Sequence, residues 1–370
     1  MNRTKDIEPV TDHAVLSLPH PARVAAYLGH FPEMLRKLIG PEWAAVQREL
    51  QDDSLALPEV VRRLMHENDL PNFAGILRYT VGMPGGTEEG GPIGMLAYLR
   101  QEVRPAPHFL IADELVSLLE HTDIAQDLPL SMMNIPFKRF YLELGRARKC
   151  SATIPNILSG DHIFEGAYVE RGHHAEGEML YIVLTGSPLG KADAGDDATL
   201  SMALPLVNPE RPIYEVLMTA YQRARNDAMP TGQQVSPQAW TDDAFAAVML
   251  LAKALLYIGL PGTRREMHPE KTEAEKTLAG LKSTAKRNKA QRRLSRAYDY
   301  ILIGPQPEHN RSAQGLARDV NVSAHWRRGH YRLQAHGPQH ALRKLLFIEA
   351  TLVGANTGMP VDAVPVYKVV

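Results

Sequence analysis

Several features that would place the sequence in a standard class are scarce or missing. Its 370 residues contain one cysteine, Cys150, which excludes an internal disulfide framework and is typical of a reducing compartment. The longest apolar run, residues 244–260, is interrupted by Lys253 and is not expected to span a membrane. The start of the chain carries no apolar segment of the secretory-signal type. We therefore expect a cytoplasmic protein without membrane contact.

Motifs for catalysis, phosphate binding and metal binding are also missing. Residues 186–191, GSPLGK, resemble a phosphate-binding loop, but the spacing is one residue short and Ala192 stands where Ser or Thr would bind magnesium. His173 and His174 lack the further ligands that a metal site needs, and Cys150 lies in no recognisable nucleophile motif. The formal net charge of -1 favours no class of partner. We predict no cofactor and no metal.

The residues that are present suit a globular protein with a helical N-terminal region. Hydrophobic residues make up 44% and charged residues 22% of the chain, which is enough apolar material for a sizeable core. Across residues 1–130, apolar residues recur at helical spacing, most clearly over 111–121 with its acidic first turn. The Gly/Pro-rich stretch 82–92 is predicted to be a loop, and the sequence does not indicate its role.

After residue 130 the apolar period changes from helical to two, which predicts strands. Phe140, Leu142 and Leu144 fall on one face of such a strand. The segments 166–171 and 178–185 are predicted to pair as an antiparallel hairpin, because the link between them is short.

Helices are predicted to return at 213–225 and 242–257, and the second is apolar over more than half of its circumference. The predicted fold class is α+β. A helical N-terminal region, residues 1–130, precedes an α+β domain, residues 131–370, in which a mainly antiparallel sheet carries packed helices. We expect the C-terminal strands, within residues 323–353, to join that sheet.

Basic residues are concentrated in the segment 268–296, where apolar residues are sparse. This composition is typical of a linker or of a solvated helix that becomes ordered on an anionic partner. Such a run can neutralise phosphates, although charge runs are more often solvated faces. The candidate residues for a nucleic acid or another anionic partner are Lys286, Arg287, Lys289, Arg292 and Arg293.

The most informative stretch is 323–332, SAHWRRGHYR. If it is a strand, its odd and even positions point to opposite faces, and the even face is a basic stripe with one Trp. Such a stripe suits a carboxylate-rich protein segment or a phosphate backbone, because Arg donates in a bidentate fork. The candidate binding residues are His325, Trp326, Arg327, Arg328, Gly329, His330 and Arg332.

Gly329 leaves a catalytic alternative open. Gly within a strand often marks a bulge or a close approach of another backbone. A bulge would reverse the alternation and bring His325 and His330 onto one face, as a general acid–base pair suited to metal-free RNA cleavage. The plain alternative is an edge strand protected by charge, with Trp326 packed on the core. We expect the two histidines not to act together, and we predict no catalytic residues.

The last strands resemble a known family. Their pattern consists of His325-Trp-Arg-Arg-Gly-His-Tyr331, a short loop with Gly337 and Pro338, and the aliphatic run 345–354. It is similar to the C-terminal signature of the second family of type V-A anti-CRISPR proteins and of its wider set of uncharacterised phage and plasmid relatives. An aliphatic helix and a basic segment precede the signature in a similar order.

The resemblance implies a mobile-element protein that lowers the amount of a CRISPR nuclease in the host cytoplasm. The family recognises the N-terminal segment of the nuclease as it is made. The implied partners are therefore the nuclease or its nascent chain, with RNA or the ribosome as further candidates. Two alternatives stay open from the residues themselves: an RNA-binding protein or metal-free ribonuclease that uses the His/Arg signature, and a structural phage protein.

Overall fold

The computed structural model describes residues 13–27, 36–64, 70–73, 75, 90–133, 135, 137–156, 159–174, 177–191, 197–228, 237–261, 263–305 and 325–353. Its helices are α1 His13–Leu16, α2 His20–Tyr27, α3 Trp43–Gln51, α4 Leu57–Arg62, α5 Gly90–Val103, α6 Asp113–Glu120, α7 Ile213–Ala228, α8 Pro237–Ile258, α9 Glu270–Gly280 and α10 Thr284–Leu294. Its strands are β1 His108–Ile111, β2 Thr122–Ile124, β3 Arg139–Leu144, β4 Thr153–Ile154, β5 His162–His174, β6 Gly177–Ser187, β7 Ala198–Pro205, β8 Arg264–Pro269, β9 Asp299–Gly304, β10 His325–Arg327, β11 Gly329–His336, β12 Leu342–Ile348 and β13 Thr351–Val353.

An eight-stranded mixed sheet forms the centre of the described structure. Its strand order is β7-β6-β5-β3-β1-β9-β8, and β4 pairs with β5 beside this path. The pairs β7–β6, β6–β5 and β5–β3 and the outermost pair β9–β8 are antiparallel. The strand β1, in contrast, runs parallel to both β3 and β9. These pairings confirm the predicted α+β class and its mainly antiparallel sheet.

One face of this sheet is aliphatic and is covered by α7 and α8. The alternation in β3 sends Phe140, Leu142 and Leu144 to this face, as predicted, and each of the three is almost fully buried. They join one large core with residues of α7 and α8, including Val248 and Leu255. The nearly all-round burial of α8 follows from its composition, because a helix that is apolar on every side is stable only in a core.

The opposite face is rich in tyrosine and is covered by helices of the N-terminal region. Tyr141 and Tyr168, on neighbouring strands, pack in a second core that includes Trp43 of α3 and Leu57 of α4. The two rings meet edge to face, with centroids 4.8 Å apart. The sheet therefore has an aliphatic side and a polar-aromatic side, and these faces hold different chemistry.

Several predicted elements are confirmed. The hairpin β5–β6 is antiparallel, and α7 and α8 occur where helical spacing predicts them. The segment 268–296 is two solvated helices, α9 and α10, following the end of β8. The predicted loop 82–92 is wrong at its end, because α5 begins at Gly90 and a proline is tolerated in the first turn of a helix. Residues 82–89 lie outside the described residues.

The expectation that the C-terminal strands join the main sheet is wrong. The strands β11 and β12 form a separate three-stranded sheet with β2, in the order β12-β11-β2, and β10 pairs only with β13. The reason is local, because β2 directly follows α6 and offers its free edge to Gly329 and His330 in a parallel pairing. The hairpin still shares the main core through Tyr331 and Phe347.

The N-terminal region contributes a strand to the centre of the sheet. The strand β1 lies between β3 and β9, so a cut at residue 130 would remove an inner strand. The domain boundary at that residue stays a prediction. Among the described residues, we find no helix whose length and apolar character would let it cross a membrane.

Candidate functional site

The C-terminal hairpin holds the residues predicted to bind a partner. Arg327 pairs with Thr351 and His330 pairs with Ile348, so two residues lie between these pairs on each strand. The register therefore carries no extra residue, and the bulge that would bring His325 and His330 onto one face is not present in residues 325–353. The strand is interrupted at Arg328 instead, between β10 and β11.

Gly329 marks a close backbone approach, the other structural role predicted for it. A Cβ atom at this position would lie 2.6 Å from the carbonyl oxygen of Ile348, 2.7 Å from the amide of Ala350 and 2.8 Å from Oγ1 of Thr122. The Gly329 amide donates a 2.9 Å hydrogen bond to the carbonyl oxygen of His121. Three segments thus converge on a residue that has no side chain.

Alternate residues of β11 separate an inner from an outer face. Tyr331 is fully buried, and its hydroxyl donates a 2.8 Å hydrogen bond to the carbonyl oxygen of Lys253 in α8. His330 and Arg332 are exposed on the other face. Arg328 is also exposed and forms a 3.0 Å ion pair with Asp123 of β2. The side chains of His325, Trp326 and Arg327 lie outside the described part of the chain.

The outer face of the hairpin combines cations with exposed aliphatic side chains. In the antiparallel register His330 lies opposite Ile348, and Arg332 lies opposite Leu346. Ile348 is 36% exposed and Leu342, further along β12, is 54% exposed. We call the outer residues of this sheet the hairpin face; they are Arg328, His330, Arg332, Gln334, His336, Leu342, Lys344, Leu346 and Ile348.

Lys253 adds a further cation behind the hairpin. Burial lowers its pKa to about 8, although the nearby carboxylates of Asp123 and Glu120 act in the opposite direction. Arg328 lowers the pKa as well, because like charges repel. Asp123 and Arg328 of the small sheet therefore both influence the charge of Lys253 in α8.

The second predicted basic site is the helix α10. The side chains of Lys286, Arg287, Lys289, Arg292 and Arg293 are all exposed on it. Arg287 donates a 3.3 Å hydrogen bond to the carbonyl oxygen of Leu281. The structure therefore presents these five cations as one exposed cluster, on an element separate from the hairpin face.

A buried ionic network on the tyrosine-rich face was not predicted from the sequence. Arg23 of α2 is fully buried and donates to both carboxylate oxygens of Glu165, at 2.9 and 2.5 Å. The same guanidinium donates to Asp197, and the Nε2 atom of His20 lies 3.6 Å from that carboxylate. The network therefore ties α2 to the strand β5 and to the start of β7.

Glu143 continues the network towards β1 and β9. It accepts hydrogen bonds from Arg148 at 2.9 Å and from the hydroxyl of Tyr298 at 2.9 Å, and it lies 2.9 Å from Nε2 of His108. Burial alone would raise the pKa of Glu143, but the Arg148 charge and the His108 hydrogen bond outweigh it and lower the pKa to about 2. The carboxylate is therefore charged at neutral pH.

One signal in the sequence points to this network. Glu143 lies between Leu142 and Leu144 in a run that is predicted to be a strand, and a carboxylate that is buried there requires a partner of opposite charge. The sequence does not show the rest of the network, because Arg23 and Glu165 are 142 positions apart. Among the described residues no group of three or more His, Cys, Asp or Glu side chains is arranged to hold a metal ion.

The described residues thus define an α+β protein with two exposed basic surfaces, the hairpin face and α10. The family described as "AcrVA2-like: Anti-CRISPR type V subtype A2 family" matches residues 109–355, and the chain belongs to this family. This membership confirms the type V-A anti-CRISPR family expected from the sequence. The matched range includes both basic surfaces but not Arg23.

Comparison with solved structures finds a similar chain in the crystal structure of AcrVA2. The two sequences are 13% identical, the match covers 88% of this chain and 99% of that chain, and the TM-score is 0.44. No curated protein matches the chain.

Proposed function

We propose that this protein inhibits a type V-A CRISPR nuclease by binding a segment of the nuclease polypeptide and lowering its production. The observation that supports this proposal is the family match over residues 109–355, which includes the whole of β11 and β12. The N-terminal segment of the nuclease, as it emerges from the ribosome, is the proposed target. The protein acts in the cytoplasm of the host cell and derives from a phage or plasmid.

The hairpin face is the proposed contact surface. Arg332 and Lys344 supply exposed cations, and Leu342 and Ile348 supply exposed apolar surface beside them. This mixture suits a peptide in which acidic and apolar side chains alternate, because apolar burial gives affinity while charge complementarity gives orientation. Gly329 and Tyr331 support the face from beneath and are assigned no contact with the partner.

Two paired variants test the assignment. Arg332→Glu with Lys344→Glu reverses two charges on the hairpin face. Lys149→Glu with Arg223→Glu makes the same net change at two exposed positions outside the hairpin. Each form is produced together with a type V-A nuclease, and the nuclease protein is quantified by immunoblot.

We expect wild type and the Lys149/Arg223 variant to lower the nuclease level and the hairpin variant to lose that effect. The circular dichroism spectrum and thermal midpoint of the hairpin variant should match those of the wild type, because both positions are exposed. Unchanged nuclease levels with wild type would refute the inhibitory function. Equal activity of all three forms would refute the contact surface.

A second experiment addresses the proposed nuclease segment. The N-terminal segment of the nuclease is replaced by an unrelated sequence that preserves the reading frame. We expect the level of the replaced nuclease to be insensitive to this protein. A level that falls as strongly as that of the intact nuclease would show that another part of the nuclease is recognised.

The ribonuclease alternative receives no support from the register of the hairpin. It requires His325 and His330 on one face, and the equal spacing on the two strands contains no residue that would reverse the alternation. We therefore assign neither histidine a catalytic role.

A further inference from the structure

The helix α10 carries a dense positive charge that the proposed inhibition does not use. Its sequence, TAKRNKAQRRL, contains five cations and no carboxylate. Its neighbour α9 contains three Glu and two Lys, so positive charge is concentrated on one helix of the pair. Lys286 and Arg293 are seven positions apart, which corresponds to about 10 Å of helix axis.

Four of these cations lie on the side of α10 that faces solvent. Ala290 and Leu294 are half-buried and mark the inner side of α10, and Ala274 is buried on α9. Arg287 is turned towards the connection between the helices, where it contacts the carbonyl oxygen of Leu281. The other four are exposed: Lys289 and Arg292 point away from the inner side, and Lys286 and Arg293 flank it, four and three positions from Ala290.

The four outward cations have no carboxylate partner among the described residues. The acidic residue of α9 that is nearest the sheet is already engaged, because Glu270 accepts a 2.9 Å hydrogen bond from Tyr300 and lies 3.5 Å from Arg146. Unpaired exposed cations can neutralise the charges of a polyanion and release the counterions condensed on it, which favours binding.

The base of the two-helix unit is fixed to the sheet. Asp299, the first residue of β9, accepts hydrogen bonds from the backbone amides of Lys271 and Thr272, at 2.8 and 3.1 Å. Its other carboxylate oxygen accepts a 2.6 Å hydrogen bond from the Thr272 hydroxyl. This arrangement caps the N-terminus of α9, so the cations are presented on a fixed support and their ordering costs less on binding.

We propose that the outward side of α10 binds the phosphate backbone of a nucleic acid. A protein partner fits this surface poorly, because protein interfaces are built around apolar or aromatic anchors and this side of α10 has none beyond Ala285. The closely spaced charges of a nucleic acid match a row of cations without such anchors. The inference does not depend on inhibition of a nuclease and requires no base-specific contact.

The test measures binding of labelled oligonucleotides by fluorescence anisotropy. The probes are a 5′-fluorescein oligouridine of about 20 nucleotides and an oligodeoxythymidine of equal length, which suit a site reading single-stranded backbone. Wild type is compared with a variant that carries Lys286→Gln, Lys289→Gln, Arg292→Gln and Arg293→Gln. The matched control carries Lys149→Gln, Arg223→Gln, Lys271→Gln and Lys276→Gln, which removes the same charge from exposed positions outside α10.

We expect wild type and the matched control to bind with similar affinity and the α10 variant to bind at least tenfold more weakly at about 0.1 M salt. The salt dependence of log K should also fall by about 3 in the α10 variant, because each lost contact to a single strand removes a slope of about 0.7. Preference for one probe assigns the site to RNA or to DNA.

Three outcomes would overturn the inference. Wild type that binds neither probe shows no nucleic-acid site. Equal weakening of the α10 variant and the matched control shows an effect of bulk charge alone. Displacement of both probes by polyglutamate at equal charge concentration shows that the surface binds any polyanion. The level of the CRISPR nuclease, measured by immunoblot with the same variants, keeps this result separate from the proposed inhibition.

Discussion

Gly329 shows how a single missing side chain determines the shape of the hairpin. The carbonyl oxygen of Ile348, the amide of Ala350 just before β13 and the side chain of Thr122 approach this position at distances that no Cβ atom tolerates. The sequence indicates this role, because a glycine inside a strand suggests either a bulge or a close approach. It does not distinguish between the two, since that depends on Thr122, which is 207 positions away in the chain.

At this residue we predict that Gly329→Ala lowers the free energy of unfolding by about 1–3 kcal/mol, the usual range for overpacking. The control is Gly280→Ala, at a helix end where nothing lies within 4 Å of a new Cβ. It should be neutral or stabilising by less than about 1 kcal/mol. Urea unfolding followed by circular dichroism measures both, and equal stability of the two variants would show that the contacts around Gly329 relax freely.

Glu143 provides a prediction about pH. Because its folded pKa of about 2 lies below the usual value of 4.5, its contribution is fully present above pH 4.5 and is lost as the pH falls towards 2. The loss is on the order of 3 kcal/mol. The pKa of Glu165 is also lowered, by the charge and hydrogen bonds of Arg23 against the opposing effect of burial, so both carboxylates act in the same direction.

We therefore expect Glu143→Gln to cost about 3 kcal/mol at pH 7, because buried Arg148 loses its carboxylate partner at 2.9 Å and keeps only Glu165, at 3.5 Å. The variant should also lose part of the decrease in stability between pH 4.5 and pH 2. The comparison variant is the exposed Glu114→Gln, which should change stability by less than about 0.5 kcal/mol. Parallel pH profiles for wild type and Glu143→Gln would contradict the low pKa.

At the scale of elements, local sequence patterns predict the helices and strands well, but they do not predict which strands pair with one another. The period of two in 137–144 and the apolar surface of 242–257 identify β3 and α8, because each pattern reflects burial of that element alone. The placement of the C-terminal strands depends on β2, whose three residues carry no strand pattern of their own. The hairpin therefore belongs to a separate small sheet, which periodicity alone cannot show.

The two-helix unit α9–α10 gives a prediction at this scale. Asp299→Ala removes the carboxylate that caps α9, and we expect a loss of about 1 kcal/mol in local stability, as for other N-terminal caps. Hydrogen exchange of the amides in 270–294 should accelerate about fivefold, while exchange in β3 and β5 stays unchanged. Asp299→Asn retains an oxygen acceptor and should show a smaller effect. Uniform acceleration across the sheet would instead assign Asp299 a role in global stability.

At the scale of the whole molecule, the N-terminal region and the sheet are joined by charge as well as by apolar contacts. Arg23 reaches Glu165 and Asp197, and His108 of β1 reaches Glu143. Buried ion pairs of this kind stabilise little in net terms, but removal of one partner leaves an uncompensated charge. The sequence predicts a helical N-terminal region but not these links, because they join residues far apart in the chain.

We predict that a fragment of residues 131–370 does not unfold cooperatively, because it lacks β1, with His108 beside Glu143, and Arg23, the bidentate partner of Glu165. Co-expression with residues 1–130 should restore a cooperative transition, because that piece supplies β1 and Arg23. Thermal unfolding monitored by near-ultraviolet circular dichroism distinguishes these states. A fragment that melts like the intact chain would show that residues 131–370 form an independent domain.

The burial of Cys150 has a practical consequence for future work on the partners. This thiol is the only one in the chain, it is buried, and burial raises its pKa, so little reactive thiolate is present at neutral pH. A cysteine introduced at an exposed position, such as Lys289→Cys on α10 or Gln334→Cys on the hairpin face, therefore accepts a maleimide dye without removal of the native residue. The fluorescence of the attached dye can then show separately whether a partner binds at α10 or at the hairpin face.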